Sequence, residues 1–246
     1  SRGLGDVYKR QSMFHLFTHA MFKALLFLGA GCIIHAVHSN EMSAMGGLRK
    51  YMPVTHITFL IACLAISGIW PFSGFFSKDE ILTACFRFSP VMGWIMTGIA
   101  AMTAFYMFRL YYGIFWGTEN KTLHAAHTPH EAPLTMTFPL LFLAAVTCVA
   151  GFIPFGNLIS SNGEAYTIHL DMQVATTSII IALLSIGLAT WMYAGPKQPV
   201  ADKLAHTFSR LHTAAYHRFY MDEVWMFFTK KIIFRCISTC LLYTSD

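Results

Sequence analysis

The sequence contains few charged residues. Asp, Glu, Lys and Arg make up 12% of its 246 positions, about half the share typical of a soluble globular domain. Hydrophobic residues make up 55% of the chain, and 22 Phe and 14 Met stand beside 12 acidic residues. This composition excludes a water-soluble globule, a disordered chain, collagen and a disulfide scaffold. It is typical of a polytopic membrane protein.

Metal-binding cysteine pairs and catalytic signatures are also missing. The six cysteines form no CxxC pair, and four lie in apolar runs, where they behave as small hydrophobes rather than as zinc ligands or disulfides. No GxSxG, Walker or dinucleotide-binding glycine pattern occurs, so no self-contained catalytic site is predicted. The net charge of +5 does not indicate nucleic acid, because most Lys and Arg flank hydrophobic runs, as topology signals do.

The two ends of the chain do not continue the patterns beside them. The sequence starts at Ser1 without a methionine and ends in Leu-Leu-Tyr-Thr-Ser-Asp. We interpret residues 1–11 and 240–246 as scars of sequence assembly. The chain is accordingly expected to be an internal fragment of a longer protein.

Five apolar stretches are each long enough to cross a hydrocarbon core of about 30 Å, which needs about 20 helical residues. They are roughly 12–37, 55–76, 90–116, 134–155 and 174–194. Strand alternation is absent, and within lipid every backbone group must bond internally, so each stretch is predicted to be a helix. The predicted fold class is therefore all-α: a polytopic transmembrane helix bundle over residues 12–194, with one span broken.

Basic residues are distributed unequally between the two sides of this bundle. With five spans, loops 38–54 and 117–133 and the tail share one side and hold most Lys and Arg, whereas loop 156–173 has none. The positive-inside rule therefore places the tail in the cytoplasm. Within the tail, residues 195–239 carry apolar residues at loose helical spacing, which predicts an amphipathic helix on the membrane surface. An ordinary juxtamembrane linker is the alternative.

Three protonatable residues lie on one face of the first span. His15, His19 and Lys23 are spaced i, i+4 and i+8, and each step drifts by only about 40° around the helix. A lysine at the bilayer centre costs about 2.5–3.5 kcal/mol, which favours a functional role for Lys23. The stripe predicts a proton relay. The alternative is helix–helix contact in which hydroxyls or carbonyls satisfy the imidazoles.

The second span contains a predicted helix break around Pro71. This proline lacks an amide hydrogen and its ring clashes with the carbonyl of Ser67. Non-helical backbone at membrane depth is stable only where protein buries it or water lines it, and broken helices mark ion paths in transporters. Lys78 and Asp79 follow within about two turns. A kink that runs into a loop, with solvated charges at the helix end, is the alternative.

Other ionisable residues fit structural roles. Arg109 lies among aromatic residues near the end of the third span, which favours an interfacial anchor. His35 and His38 either exchange protons with solvent or are satisfied at the end of the first span. A histidine cluster precedes the fourth span, but prolines interrupt it and only Glu131 adds a carboxylate, so a solvated loop is favoured over a metal site; its members are His124, His127 and His130.

Three motifs together resemble one known family. They are THAMFKALLFL at 18–28, MGGLRK at 45–50 and GFFSKDEIL at 74–82. Over residues 12–237 the chain is similar to the proton-pumping, antiporter-like subunits of respiratory complex I, and most to the L subunit of bacterial NADH:quinone oxidoreductase, the counterpart of mitochondrial subunit 5. The L type is favoured by the Lys78-Asp79 pair and by Tyr220-Met221-Asp222-Glu223, which resembles the approach to the long lateral helix of that subunit.

The resemblance implies roles for the residues of these motifs. Lys23 resembles the central-axis lysine, with His15 and His19 as its relay. Lys78 resembles the lysine of the outward half, with Asp79 as its charge partner near the exit. Residues 12–194 would then comprise the end of the second inverted five-helix repeat and two further spans, and residues 195–239 the start of the lateral helix. The first repeat, most of the lateral helix and the final span would lie outside this fragment.

The resemblance further implies a non-redox, proton-translocating subunit. NADH, FMN, iron–sulfur clusters and quinone would be bound by other subunits, and no cofactor is expected in this chain. The expected partners are the lipid bilayer and other membrane-arm subunits, notably the neighbouring antiporter-like subunit, and not nucleic acid. The expected location is the bacterial inner membrane. A multi-subunit sodium/proton antiporter and a membrane-bound hydrogenase share these helices and remain alternatives; a purely structural anchor would not need the ionisable stripe.

Overall fold

The computed structural model describes residues 2–119, 128–153, 171–195 and 199–234. The chain divides into two compact units, Ser1–Lys197 and Gln198–Asp246. Within the described residues the regular structure is helical, with no strand. The predicted all-α class is therefore confirmed.

Among the described residues, six α-helices lie in the first unit. They are α1 (Arg2–Val37), α2 (Pro53–Ser67), α3 (Ser73–Phe88), α4 (Pro90–Phe115), α5 (Leu134–Val149) and α6 (Met172–Tyr193). Within the part of the chain that the structure describes, four helical segments are long and apolar enough to cross a membrane: Ser12–Val37, Pro90–Phe115, Leu134–Phe152 and Met172–Tyr193. They match the first, third, fourth and fifth predicted spans; the end of the fourth prediction, residues 154–155, lies outside the described residues. α1 itself starts at Arg2 and so runs through the segment interpreted as a scar.

The second predicted span is two helices rather than one. α2 ends at Ser67 with Gly68 in the left-handed conformation (φ 79°), and α3 begins at Ser73 after a cis Trp70–Pro71 bond. The predicted break is confirmed. The predicted end at residue 76 is wrong, because α3 continues to Phe88. The alternative of solvated charges is wrong as well, since Asp79 is 1% exposed and therefore lies inside the protein.

The broken span lies in the middle of the bundle. α1 packs against α2, α3 and α5, while α4 packs against α2, α3 and α6. One apolar core joins α1, α2, α4 and α6 around Phe59, Phe108 and Phe115, and a second joins α1, α2 and α5 around Leu25 and Leu140. The described cysteines, Cys32, Cys63, Cys85 and Cys148, are free thiols. Both halves of the broken span are therefore held by long, apolar neighbours.

Over residues 199–234, the described part of the second unit, the helices are short. They are α7 (Pro199–Thr207), α8 (Ser209–Tyr216), a 3-10 turn (Arg218–Tyr220), α9 (Met221–Phe227) and a π-helical segment (Phe228–Phe234). Arg218, Phe219 and Tyr220 all have left-handed φ angles, between 52° and 57°, which interrupt the predicted amphipathic helix. Arg218 forms an ion pair with Asp222 across the interruption. The assignment to a lateral helix stays a prediction.

Candidate functional site

The histidine stripe of α1 contacts the start of α3. His15 and His19 stack along α1 with ring centroids 5.7 Å apart. His15 Nδ1 lies 3.2 Å from Ser77 Oγ, and Thr18 Oγ1 donates to the same oxygen at 3.0 Å. Both Thr18 and Ser77 are buried. The alternative of helix–helix contact is therefore met at His15, whose imidazole lies within hydrogen-bond distance of α3, while the relay stays a prediction.

The helix break provides the acceptor for Lys78. Its Nζ donates to the carbonyl of Ile66 at 2.5 Å. Ile66 lies in the last turn of α2, where carbonyls have no partner within the helix, and the helix dipole concentrates partial negative charge there. The ammonium of Lys78 therefore caps the C-terminal end of α2.

Two glycines allow this close arrangement. A Cβ added at Gly74 would lie 1.8 Å from the carbonyl oxygen of Ala65, so α3 starts in direct backbone contact with α2. At Gly68, whose left-handed φ already favours glycine, a Cβ would lie 3.2 Å from Cδ of Lys78. The glycines that the sequence places on each side of Pro71 thus bring the two half-helices, and the lysine, together.

A cavity of about 450 Å³ joins the predicted site residues. Its walls come from α1, α2, α3 and α4, and its polar side chains include all four basic groups of the prediction: His15, His19, Lys23 and Lys78. Phe22, Phe59 and Met107 form part of the apolar wall. A space of this size accommodates on the order of ten waters, at about 30 Å³ each. The two lysines therefore share one hydratable compartment.

The side chain of Lys23 is less buried than predicted. The sequence predicted a buried amine, whereas the side chain is exposed and borders the open side of the cavity. The physical reason is the position of the cavity between α1 and α4, which leaves that edge uncovered in this chain.

Asp79 does not pair directly with Lys78. Consecutive helical residues point about 100° apart, and Asp79 is absent from the walls of the cavity that holds Lys78. It is 1% exposed, and neither carboxylate oxygen has a hydrogen bond. Among the described residues no ion pair joins the two side chains. The partner that the structure gives Lys78 Nζ is therefore a backbone carbonyl and not the carboxylate of Asp79.

A second polar cluster lies at the other end of α2. His56 Nε2 is 2.6 Å from the hydroxyl of Tyr111, and the guanidinium of Arg49 lies 3.8 Å above the Trp116 ring. Glu131 accepts hydrogen bonds from Val54 N at 2.8 Å and from Thr55 Oγ1 at 2.6 Å. Its carboxylate thus satisfies the first turn of α2.

This use of Glu131 bears on the metal alternative. Its carboxylate is engaged by α2, His124 and His127 lie outside the described residues, and His130 is exposed. The part of the chain that the structure describes holds no group of three metal-ligating side chains. Arg109 lies 5.4 Å from the Tyr193 ring, and the rings of His35 and His38 are 6.1 Å apart at the end of α1.

Sequence reasoning missed Ser77, His56 and the Ile66 carbonyl. The last of these had a signal, because a helix that ends at Ser67 leaves its final carbonyls without partners. Ser77 and His56 had none, since a lone serine or histidine in an apolar helix does not indicate which neighbour it meets. Chemically, the cavity can pass protons between imidazole, amine and water, and the carbonyl can hold one amine in place.

Comparison with known proteins gives a consistent result. Residues 6–104 match the family described as NADH:quinone oxidoreductase/Mrp antiporter, TM. The chain is 40% identical over 253 residues to NAD(P)H-quinone oxidoreductase chain 5 of Picosynechococcus, covering 87% of this chain and 38% of that protein. It is also 40% identical over 201 residues to NADH-quinone oxidoreductase subunit L of Mycobacterium tuberculosis, covering 76% of this chain and 31% of that protein.

One chain of a solved structure has a similar fold. The structure is that of the membrane-bound sulfane sulfur reductase, an archaeal respiratory membrane complex, and the chain matches with a TM-score of 0.58 and 26% identity. The match covers 76% of this chain and 33% of that one. The chain therefore spans roughly a third of each of these proteins.

Proposed function

Residues 6–104 of this chain belong to the NADH:quinone oxidoreductase/Mrp antiporter transmembrane family, and on that premise we propose that the chain is part of a proton-translocating membrane subunit of NADH:quinone oxidoreductase. The observation that carries the proposal is the shared cavity, in which His15, His19, Lys23 and Lys78 meet. The similarity to chain 5 and to subunit L over most of this chain supports the same assignment. The subunit itself would carry no redox chemistry.

Proton transfer follows from the contents of the cavity. A proton held at Lys23 passes through water, with His15 and His19 as intermediate bases, to the amine of Lys78. The carbonyl of Ile66 and the negative end of the α2 dipole stabilise the ammonium once Lys78 is loaded. Quinone reduction elsewhere in the complex changes the field along the buried charges, and the field of Asp79 biases whether Lys78 holds or releases its proton.

The setting of the chain follows from the same assignment. A mid-span lysine facing lipid costs about 2.5–3.5 kcal/mol, so the open edge beside Lys23 is covered by protein in the assembled complex. The partners would be other membrane-arm subunits, notably a neighbouring antiporter-like subunit, together with lipid. The subunit would lie in the bacterial inner membrane with the segment after α6 in the cytoplasm, as the distribution of Lys and Arg indicates.

The test replaces Lys23 by Ala in the full-length subunit within the assembled complex. The proton-to-electron ratio should fall while NADH oxidation by the redox subunits continues. Lys50→Ala is the matched control, because Lys50 is an exposed lysine in the 3-10 turn Leu48–Lys50, outside the spans. An unchanged ratio in Lys23→Ala would remove the proposal.

A sodium/proton antiporter subunit is the second candidate, because the matched family includes the Mrp antiporters. The same cavity would serve either complex. Sodium-dependent pH recovery in vesicles without NADH oxidation would favour the antiporter, whereas proton release that depends on NADH and quinone favours the oxidoreductase.

A further inference from the structure

Arg109 is an exposed arginine on the membrane-spanning helix α4. Among the residues that the structure describes, no ion pair and no hydrogen bond involves its side chain. Its guanidinium carbon lies 5.4 Å from the centroid of the Tyr193 ring, within the range of a cation–π contact. A guanidinium has five N–H donors in a planar fork. These donors are therefore available to a ligand from outside the described part of the chain.

The end of α6 indicates the depth of Arg109 in the membrane. α6 has 22 residues, which span about 33 Å at 1.5 Å per residue, and the hydrocarbon core is about 30 Å thick. The last residue of α6, Tyr193, therefore lies at the edge of the core. Phe105 packs against Tyr193 with ring centroids 6.0 Å apart, and the hydroxyls of Tyr112 and Thr190 are 2.9 Å apart, so this end of α6 is fixed to α4. Arg109 accordingly lies at the level of lipid headgroups.

This edge of the core faces the side of the bundle that carries most basic residues. α4 leads into loop 117–133 and α6 leads into the tail, which the distribution of Lys and Arg assigns to the cytoplasm. Anionic lipids of the cytoplasmic leaflet attract basic side chains near the surface. Trp191, exposed near the end of α6, is an aromatic residue of the kind that is enriched at this interface. The level and the side therefore both favour an anionic headgroup as the partner of Arg109.

An open face of α4 runs from Arg109 toward the middle of the membrane. Met102 and Gly98 precede Arg109 by about two and three helical turns, so the three residues share one face. Met102 is more than half exposed, and a Cβ added at Gly98 would meet nothing within 4 Å. The distance from Arg109 to Gly98 is about 16 Å of helix rise, about half the thickness of the hydrocarbon core. One acyl chain of one leaflet therefore fits along this face.

The same face is separate from the cavity of the proposed proton path. Neither Arg109, Met102 nor Gly98 borders that cavity. The protein that covers the open edge beside Lys23 therefore does not need to cover Arg109.

The chemistry of the site selects a phosphate carried by a lipid. A guanidinium binds phosphate oxygens through two parallel N–H···O bonds, which an ammonium cannot do. A lipid already holds its phosphate at the level of Arg109, at a high effective concentration, whereas one exposed arginine would retain a free phosphate poorly. A zwitterionic lipid adds a cationic group that repels the guanidinium. An anionic phospholipid matches the site on all three counts.

We propose that Arg109 and Tyr193 bind the phosphate of an anionic phospholipid in the cytoplasmic leaflet, with one acyl chain along Met102 and Gly98. The guanidinium donates two hydrogen bonds to the phosphate, and the Tyr193 ring holds the guanidinium at the end of α6. The inference goes beyond the proposed function and does not depend on it, because it requires only that α4 and α6 span the membrane.

The test uses a phosphatidylglycerol with a photoreactive group in one acyl chain, in nanodiscs that contain the assembled complex. Mass spectrometry measures the label on the α4 peptide around Met102 in the parent, Arg109→Gln and Arg109→Lys. Arg49→Gln is the matched control, because Arg49 is also an exposed arginine over an aromatic ring, 3.8 Å from that of Trp116, but lies in the 3-10 turn Leu48–Lys50. A phosphatidylcholine with the same photoreactive chain, and added inorganic phosphate, complete the experiment.

We expect phosphatidylglycerol to label α4 in the parent complex. In Arg109→Gln the label should fall about tenfold, which corresponds to about 1.4 kcal/mol of binding. In Arg109→Lys it should fall less, because the charge stays and the planar fork is lost. Arg49→Gln should match the parent. Phosphatidylcholine should label α4 less than phosphatidylglycerol does, and inorganic phosphate should not reduce the label.

Four outcomes would overturn the inference. Equal labelling of the parent and Arg109→Gln would mean that Arg109 does not hold the lipid, and equal labelling by both lipids would mean that Met102 meets bulk lipid. A label that inorganic phosphate removes would identify a free anion as the ligand. An unlabelled parent would mean that protein covers this face. If Arg109→Gln does not assemble, Arg109→Lys and the comparison of the two lipids still decide the question.

Discussion

The two halves of the broken span differ in how many of their buried polar side chains have hydrogen-bond partners, although Ser77 and Lys78 of α3 do have them. In α2, Thr55, His56, Thr58 and Ser67 all have hydrogen-bond partners within the protein. In α3, the side-chain oxygens of Ser73, Asp79 and Thr83 are buried without one. The halves are similar in length and both pack against α1 and α4, whereas only α3 also packs against α6.

The difference separates a scaffold from a working element. An unsatisfied buried polar group costs about 1–3 kcal/mol, so a helix that carries several is kept for something other than stability. α2 is held at its first turn by Glu131, and its last turn offers the Ile66 carbonyl to Lys78. We infer that α2 is a rigid structural element and that α3 carries the groups whose charge or hydration changes.

The largest expected effect would break the contact between the halves. In Gly74→Ala the new Cβ would lie 1.8 Å from the carbonyl oxygen of Ala65, and two backbones cannot relax as a flexible side chain can. Overpacking of this kind usually costs about 1–3 kcal/mol and here should exceed that range. The amount of assembled complex on native gels should fall sharply. Gly98→Ala in α4 should assemble normally, and equal yields for both variants would disprove the close contact.

The next effect separates transport from stability. In Asp79→Asn a buried carboxylate without hydrogen bonds becomes a neutral group of the same shape. Because no hydrogen bond is lost and a buried charge is removed, the free energy of unfolding, measured by thermal denaturation, should stay within about 1 kcal/mol of that of the parent. The proton-to-electron ratio should fall, since the field at Lys78 changes. A large loss of stability would show that Asp79 belongs to the scaffold, like the polar groups of α2.

The sequence predicts which segments form helices, and where one of them breaks, better than it predicts the contacts between helices. Hydrophobic length predicts the four spans, and proline chemistry predicts the break near Pro71. Helical spacing predicts the stripe of His15, His19 and Lys23. All three signals are local in the sequence. The bilayer strengthens these signals, because it forces every spanning backbone into a helix.

The contacts depend on packing between helices, which spacing does not encode. The pairing of His15 with Ser77 brings together residues 62 positions apart, and nothing near either residue indicates the other. The Lys78–Asp79 pair that the resemblance implied is not a direct contact, because consecutive helical residues point about 100° apart. The exposure of Lys23 likewise depends on which helices cover α1, and that is a property of the assembly.

A moderate effect is expected at the fixed end of α2. Glu131→Ala removes the acceptor for Val54 N and Thr55 Oγ1, and the loss of such a cap should lower the free energy of unfolding by about 1–2 kcal/mol. Differential scanning fluorimetry of the purified complex measures the shift. Glu131→Gln keeps an acceptor oxygen and should recover part of the loss. Glu223→Ala is the control, because Glu223 is exposed in α9; an equal shift there would mean that Glu131 does not anchor α2 in particular.

The smallest effect concerns the loop that leads into α2, outside the membrane-spanning segments. Tyr51 donates its phenolic hydrogen to Glu119 at 2.7 Å, and this hydrogen bond, reinforced by the negative charge of Glu119, raises the pKa of Tyr51 above its ordinary value of 10.0. The carboxylate favours the neutral phenol, so the bond persists at pH values where a free tyrosine ionises and is lost as pH rises through the raised pKa. Glu119→Gln should bring the pKa of Tyr51 back toward 10, as followed by NMR of ¹³C-labelled tyrosine with Tyr51→Phe for assignment. An unaltered titration would show that the bond to Glu119 does not hold the loop. The hydrogen-bonded polar side chains that distinguish α2 from α3 would then be confined to α2 and would not extend into the loop before it.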